Sequence, residues 1–292
     1  ARLVTSTDLT ALAPCDVVIE AVFEDQDVKQ ALFARLDTVV RADAIVATNT
    51  SYLDIDQMAA VLSGPDRVIG LHFFSPGHIM KLLEIVRCAH SSDAAMATGL
   101  WVAKLLGKQP VEAANAFGFI GNRIYAAYRA ACEFMLEDGA LPYQIDLALE
   151  AFGFAMGPFA VADLSGLDIA WTMRRQKRAQ WDLANRYVDI PDQLCEMGRF
   201  GRKTGAGYYL YDADGTKQRD PQVEALVIAA SAQKAIVRQD LSAADIQMRA
   251  LAAIVNEAAL LVAEGVALRP GDVDVALVNG YGFARWLGGP VH

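Results

Sequence analysis

The chain has 292 residues, 54% of them hydrophobic and 21% charged, which describes a folded protein with surface enough for one large core or two modest ones, and excludes a disordered one. A net charge of −9 excludes the basic face that a phosphate-backbone binder requires, so no nucleic-acid partner is expected. Cys15, Cys88, Cys132 and Cys195 are scattered, with no CxxC pair and no histidine at metal spacing, so free thiols in a reducing compartment and no metal site are expected.

The first run, Asp16-Val17-Val18-Ile19-Glu20-Ala21-Val22, is nearly all apolar, as in a strand buried on both faces. Residues 27–40 carry Val28, Leu32, Phe33, Leu36, Val39 and Val40 at helical spacing. A strand at 44–48, a helix at 54–62, strands at 67–74 and 82–88, a helix at 93–106 and a strand at 109–113 follow. Strands separated by helices predict right-handed βαβ units and a parallel sheet, an α/β architecture. The longest apolar stretch, 250–268, is interrupted by Asn256, Glu257 and Glu264, so no membrane span is expected. With no signal-peptide pattern at the start, the expectation is a soluble, cytoplasmic protein.

From Gly118 the sequence becomes Ala- and Leu-rich and all-α in character, and it repeats itself. "NRIYAAYRAACEFMLEDGALPYQIDLALEAFGFAMGPF", from Asn122, parallels "MRALAAIVNEAALLVAEGVALRPGDVDVALVNGYGFARWLGGP", from Met248. Each reads as a long helix, a glycine turn, a proline-led second helix, a Gly-Phe turn and a closing Gly-Pro. The polar segment "DADGTKQR" (212–219) reads as the linker between copies. The expected division is a partial nucleotide-binding domain at 1–113, a helical domain at 114–211 and a second, related and truncated one at 212–292.

Polar residues gather where the predicted strands end, the edge at which open α/β sheets place ligands. Asn49-Thr50-Ser51 follows the 44–48 strand, Glu24 follows the first strand with Lys29 a turn into the next helix, and His72 ends the third. Each alone reads as a cap or a first-turn acid. "GLHFFSPGHIMKLLEIV" (70–86) is different, because it places His72 and Glu84 in two successive apolar strands. If the strands bring them together, they form a general base with a charge-stabilising partner; if not, they are a satisfied core histidine and an edge glutamate. No GxGxxG follows a strand: Gly205-Ala206-Gly207 leads into the extended-looking Tyr208-Tyr209-Leu210-Tyr211, and "GRFGRKTG" has the wrong spacing for a phosphate loop.

"IEAVFED" with Lys29, "ATNTS", "GLHFFSPGHIMKLLEIV", "GFIGNRI", "GPFAVADLSGLD" and "GRKTGAGYYLY", in this order, resemble the L-3-hydroxyacyl-CoA dehydrogenase family over essentially the whole chain. The duplicated helical part and the ending Tyr281-Gly282-Phe283…Gly288-Gly289-Pro290 are most similar to the dehydrogenase part of the multifunctional β-oxidation enzymes, which carry an enoyl-CoA hydratase/isomerase domain ahead of this region.

The resemblance implies NAD-dependent oxidation of (S)-3-hydroxyacyl-CoA to 3-oxoacyl-CoA on a Rossmann-type sheet. It implies His72 as catalytic base, Glu84 as its partner, Ser51 on both substrate and cofactor, and Asn122 holding the reacting groups. Glu24, Lys29, Asn49, Ser75 and Lys203 fall at cofactor positions, Ser75 with a hydroxyl where many members have an asparagine amide. The helical domain of single-copy relatives forms a homodimer, so the second copy here implies either a monomer by internal duplication or a homodimer. The rivals are a hydroxy-acid dehydrogenase that does not use CoA, and a structural module or inactive fragment. The family's first strand and glycine loop have no counterpart here, so a fragment with an exposed apolar strand edge is expected.

Overall fold

The structure is a computed structural model that describes residues 3–178 and 185–292. Strands and helices alternate over its first part: β1 (Val17–Glu20), α1 (Gln26–Asp37), β2 (Ile45–Thr48), α2 (Ile55–Ala59), β3 (Val68–Phe73), β4 (Leu82–Arg87), α3 (Asp93–Leu105) and β5 (Gln109–Ala114). The five strands form one sheet in the order β1-β2-β3-β4-β5. Pairing is parallel from β1 to β3 and between β4 and β5, as the alternation predicts, but antiparallel between β3 and β4. The segment 74–81 is too short to hold the crossover that a parallel pair needs, so the chain turns back beside the strand it has just left. That turn sets Glu84 directly opposite His72 in the register.

Local sequence explains the helices that flank the sheet. Asp25 caps α1 by accepting from Val28 N, and Ser92 caps α3 by accepting from Ala95 N. α3 lays Ala95, Met96, Val102 and Ala103 against Ile69, Leu71, Leu83 and Ile85 of the sheet. β1 pairs with β2 alone among the described residues, and Ile19 on it is 41% exposed, so the sheet has the apolar edge that the sequence predicts.

The remainder is helical: α4 (Gly121–Asp138), α5 (Pro142–Phe152), α6 (Pro158–Ser165), α7 (Leu167–Arg178), α8 (Ile190–Glu196), the short strands β6 (Leu210–Tyr211) and β7 (Lys217–Gln218), α9 (Pro221–Gln233), α10 (Ala243–Ala263) and α11 (Pro270–Gly280). The tyrosine run after Gly207 is strand only at its end, and the expected linker 212–219 supplies the turn and second strand of the antiparallel β6–β7 hairpin. α10 is long and apolar enough to cross a membrane by length and composition, so the expectation that no segment reaches that measure is corrected. Ile246, Ala250, Ile254, Ala258 and Leu261 nevertheless bury one stripe of it, as in a core helix.

The repeat is visible in geometry. Gly139 and Gly265, both at positive φ, follow α4 and α10; Pro142 and Pro270 open α5 and α11. The aspartate four residues beyond each proline then holds the backbone of a later Gly-Pro turn. Asp146 Oδ1 accepts from Phe159 N at 3.0 Å, and Asp274 Oδ1 accepts from Val291 N at 2.9 Å. A Cβ at Gly157 or Gly289 would overlap that aspartate, so both turns need glycine.

Contacts divide the chain into two compact units, one comprising the residues up to Tyr125 with Val255–His292, the other Ala126–Ile254. In the first, α11 packs on β4 and β5. Cys88, Cys132 and Cys195 are buried, Cys15 is half-buried, and all four are free thiols.

Candidate active site at the carboxyl edge of the sheet

Because β1, β2 and β3 are parallel, Glu20, Thr48 and Phe73 end at one edge, and the loops beyond them carry Glu24, Asn49, Ser51 and Ser75. The first unit holds all of these with His72, Glu84 and Asn122.

His72 Nδ1 lies 2.6 Å from Glu84 Oε2, with His72 4% exposed and Glu84 fully buried. A carboxylate in such a place costs several kcal/mol unless it is paired and hydrogen-bonded, and Glu84 is both. Its other oxygen, Oε1, accepts from Ile120 N at 3.1 Å and Gly121 N at 2.8 Å, at the head of α4. These amides are aimed by Gly118 at φ 76° and Phe119 at φ 46°. A bulky residue rarely adopts that conformation, which costs roughly 1–3 kcal/mol, and the two hydrogen bonds to a buried charge offset it. With Oε1 taken by backbone donors, Oε2 receives the Nδ1 hydrogen, which leaves the lone pair on Nε2. Nε2 lies 3.2 Å from Ser51 Oγ. Phe74 and Phe119 pack on the imidazole with ring centroids 4.5 and 5.5 Å away.

Glu24 collects the loop after β2. Its Oε1 accepts from Thr50 Oγ1 at 2.6 Å, Ser51 N at 2.8 Å and Tyr52 N at 3.3 Å, so it fixes the backbone that presents Ser51. Asn49 Oδ1 accepts from Phe73 N at 2.8 Å, which ties that loop to the end of β3. Lys29 is buried. Its ammonium donates to Glu20 Oε1 (2.7 Å) and Val22 O (3.3 Å) and pairs with the Glu24 carboxylate 3.4 Å away. Lys29 therefore supports Glu24 from within the buried interior. Ser75 is exposed beside a cis Ser75-Pro76 bond.

Asn122 stands in the first turn of α4, and its Oδ1 accepts from Tyr281 Oη at 2.6 Å. Lys203 belongs to the second unit, where it pairs with Asp168 at 2.5 Å.

Sequence reasoning missed three contributors. Glu20 sits in Val-Val-Ile-Glu as Glu84 sits in Leu-Leu-Glu-Ile-Val, and the same signal, an acid inside a buried strand, would have found it; it is 4% exposed and also accepts from Thr48 Oγ1 at 2.6 Å. The Ile120 and Gly121 amides leave no trace in side-chain identity. Tyr281 lies 159 positions from its partner.

The exposed Glu24 carboxylate, Ser51 and Asn49 are hydrogen-bonding groups suited to the ribose and amide of a nicotinamide nucleotide. Among the described residues no glycine-rich loop joins a strand to a helix for its pyrophosphate.

Residues 1–116 match the 3-hydroxyacyl-CoA dehydrogenase NAD binding domain, and residues 118–211 the C-terminal domain of 3-hydroxyacyl-CoA dehydrogenase. The peroxisomal bifunctional enzyme of Cavia porcellus is 41% identical over 98% of this chain and 41% of its own length. The chain thus spans about two-fifths of the curated relatives it matches. Among solved structures, the 3-hydroxybutyryl-CoA dehydrogenase of Escherichia coli K12 superposes with a TM-score of 0.79 at 27% identity, over 99% of this chain and 76% of that one. The dehydrogenase part of multifunctional enzyme 1 from C. elegans gives 0.69 at 30% identity, over 95% and 63%. The expectation of a cytoplasmic protein is corrected by these findings, because the curated relatives are named as peroxisomal or glyoxysomal enzymes.

Proposed function

Given that the chain belongs to the 3-hydroxyacyl-CoA dehydrogenase family, we propose that its first unit oxidises (S)-3-hydroxyacyl-CoA to 3-oxoacyl-CoA with NAD, as a step of fatty-acid β-oxidation. The observation that carries the reading is the 2.6 Å contact of His72 Nδ1 with Glu84 Oε2, which turns Nε2 toward Ser51 at the ligand edge. NAD, when bound, supplies the acceptor for the hydride that leaves C3. The chain's own residues handle the proton. His72 Nε2 takes it from the 3-hydroxyl, a contribution of roughly 10²–10⁴ in rate. Glu84 keeps the ring in one tautomer and stabilises the imidazolium that forms. Ser51 holds the hydroxyl beside Nε2, and Asn122 donates to an oxygen of the substrate. Glu24, Asn49, Ser51 and Ser75 would contact the cofactor, with Lys29 supporting Glu24.

The test is formation of reduced cofactor from (S)-3-hydroxybutyryl-CoA, its (R) isomer and free 3-hydroxybutyrate. The (S)-thioester alone should be turned over. Equal kcat/KM for the free acid would move the chain to a hydroxy-acid dehydrogenase that does not use CoA. No turnover of any of them would leave it a structural module.

A further inference from the structure

Tyr281 follows α11, in the second copy of the helical repeat, yet its side chain ends in the first turn of α4, within the first unit. Its hydroxyl donates to Asn122 Oδ1 at 2.6 Å, and Asn122 Nδ2 makes no hydrogen bond among the described residues. Three features hold the ring. Tyr125 stacks on it with centroids 5.4 Å apart, and Phe74, next to His72 in the ring cluster, meets it nearly edge-on at 5.5 Å. Gly121 lets the ring approach the helix backbone, since a Cβ there would lie 2.4 Å from the ring. Gly280 does the same for the preceding turn, where a Cβ would lie 2.5 Å from Leu82.

An asparagine amide presents an acceptor on one side and two donors on the other, and a partner decides which way it faces. A phenol that keeps its hydrogen can settle the matter. Burial, and after it the nearby charge of Glu84, hold the Tyr281 hydroxyl well above its usual pKa, so it remains a donor at every working pH.

We propose that Tyr281 is a positioning residue for the site: by donating to Oδ1 it locks the Asn122 amide so that the Nδ2 hydrogens face the substrate. The second helical copy thereby completes a site whose other residues precede it in the chain. The proposal rests on the dehydrogenase reading only for what Nδ2 donates to; the orientation of the amide is independent of it.

The test is a double-mutant cycle on the full chain with Tyr281→Phe, Asn122→Ala and both. Tyr281→Phe keeps the ring and its stacking and removes one hydrogen bond. It should lower kcat for (S)-3-hydroxybutyryl-CoA about three- to tenfold, the worth of one such bond, while KM for NAD stays within twofold. In the Asn122→Ala background the same change should have no further effect. Equal effects in both backgrounds would overturn the proposal, because a residue that only supports the fold loses the same whether or not Asn122 is present. A second readout needs no turnover: the side-chain NH₂ resonances that vanish in Asn122→Asp should shift in Tyr281→Phe. Unshifted resonances would overturn it. An inactive wild type with shifted resonances would sink the dehydrogenase reading and leave the Tyr281–Asn122 link standing.

Discussion

Glu84 in the first unit and Asp146 in the second are both buried carboxylates that gather backbone amides at the start of a helix. Glu84 accepts from Ile120 and Gly121 at the head of α4; Asp146 accepts from Phe159 and Ala160 at the head of α6. Each takes one side-chain donor besides, and there they part. The donor to Asp146 is Tyr209 Oη at 2.7 Å, a group with a single hydrogen to give, so the network ends there. The donor to Glu84 is an imidazole, whose second nitrogen continues the chain of hydrogen bonds out to Ser51. A buried acid on a helix N-terminus is therefore a folding device, and it gains chemical use only when its partner can pass a proton onward. That distinction is made by one side chain.

Removing that side chain's base is the largest break. His72→Asn keeps an N–H near the place of Nδ1, so Glu84 stays paired, but it has no basic nitrogen. Oxidation of the (S)-thioester should fall by about 10²–10⁴ with the thermal midpoint little changed. A loss smaller than tenfold in steady-state turnover would mean that another group takes the proton. Glu84→Gln comes next. The amide oxygen can still receive the Ile120 and Gly121 amides, but the charge that orients and stabilises the imidazolium is gone. A loss of about 10–10² in kcat is expected, with stability lower by about 1.5–3 kcal/mol for weakened bonds to a buried charge. Chemical denaturation beside kinetics separates the two effects.

Asp146→Asn is the matching change on the other side of the comparison. It should cost about 1.5–3 kcal/mol in denaturant unfolding, since one amide oxygen cannot serve three donors, and leave kcat per folded molecule unchanged. It also carries a pH signature. Burial pushes Asp146 and Asp163 up to about 6, against the pull of their hydroxyl and backbone donors. Between the ordinary carboxylate pKa and about 6 the folded protein binds protons that the unfolded chain has released. Stability from these groups is thus fully present below about pH 4 and is lost as pH rises through 6. A shift of this size amounts to a few kcal/mol at most. The stability gap between wild type and Asp146→Asn should accordingly shrink from pH 4 to pH 7. A gap that widens over that range would show Asp146 to be ionised throughout.

The parts of this architecture written in side-chain periodicity were legible: the five strands, the helices between them, and the repeat with its glycine and proline punctuation. The reversal at β4 was not predicted, because βαβ alternation argues for parallel pairing and only the short 74–81 segment argues against it. His72 and Glu84 stood out as polar residues in buried strands, and the register that joins them is a consequence of that same reversal. Lys29 was placed correctly near Glu24, but its nearer partner Glu20, 2.7 Å away, was not, because an acid inside a buried run was read only as part of a strand. Tyr281 was out of reach because its contact depends on how α11 lies against β4 and β5, and no local pattern encodes that.

The smallest expected effect concerns Lys203, which the family resemblance puts at a cofactor position. Its side chain is half exposed and pairs with Asp168, itself partly exposed, beside Gly166 at φ 94°, where a Cβ would lie 3.0 Å from Nζ. An exposed pair of this kind holds about 0.2–1 kcal/mol, so Lys203→Ala should leave unfolding nearly untouched. If the ammonium leaves Asp168 for the cofactor during turnover, KM for NAD should rise severalfold while kcat holds, and the rise should diminish with added salt, as a screened charge requires. Asp168→Asn sharpens the point, because it frees Lys203 from its competitor and should lower that KM. Both variants leaving KM unchanged would confine Lys203 to its pair with Asp168, and the second unit would then hold carboxylates and cations in structural roles alone, on the Asp146 side of the comparison.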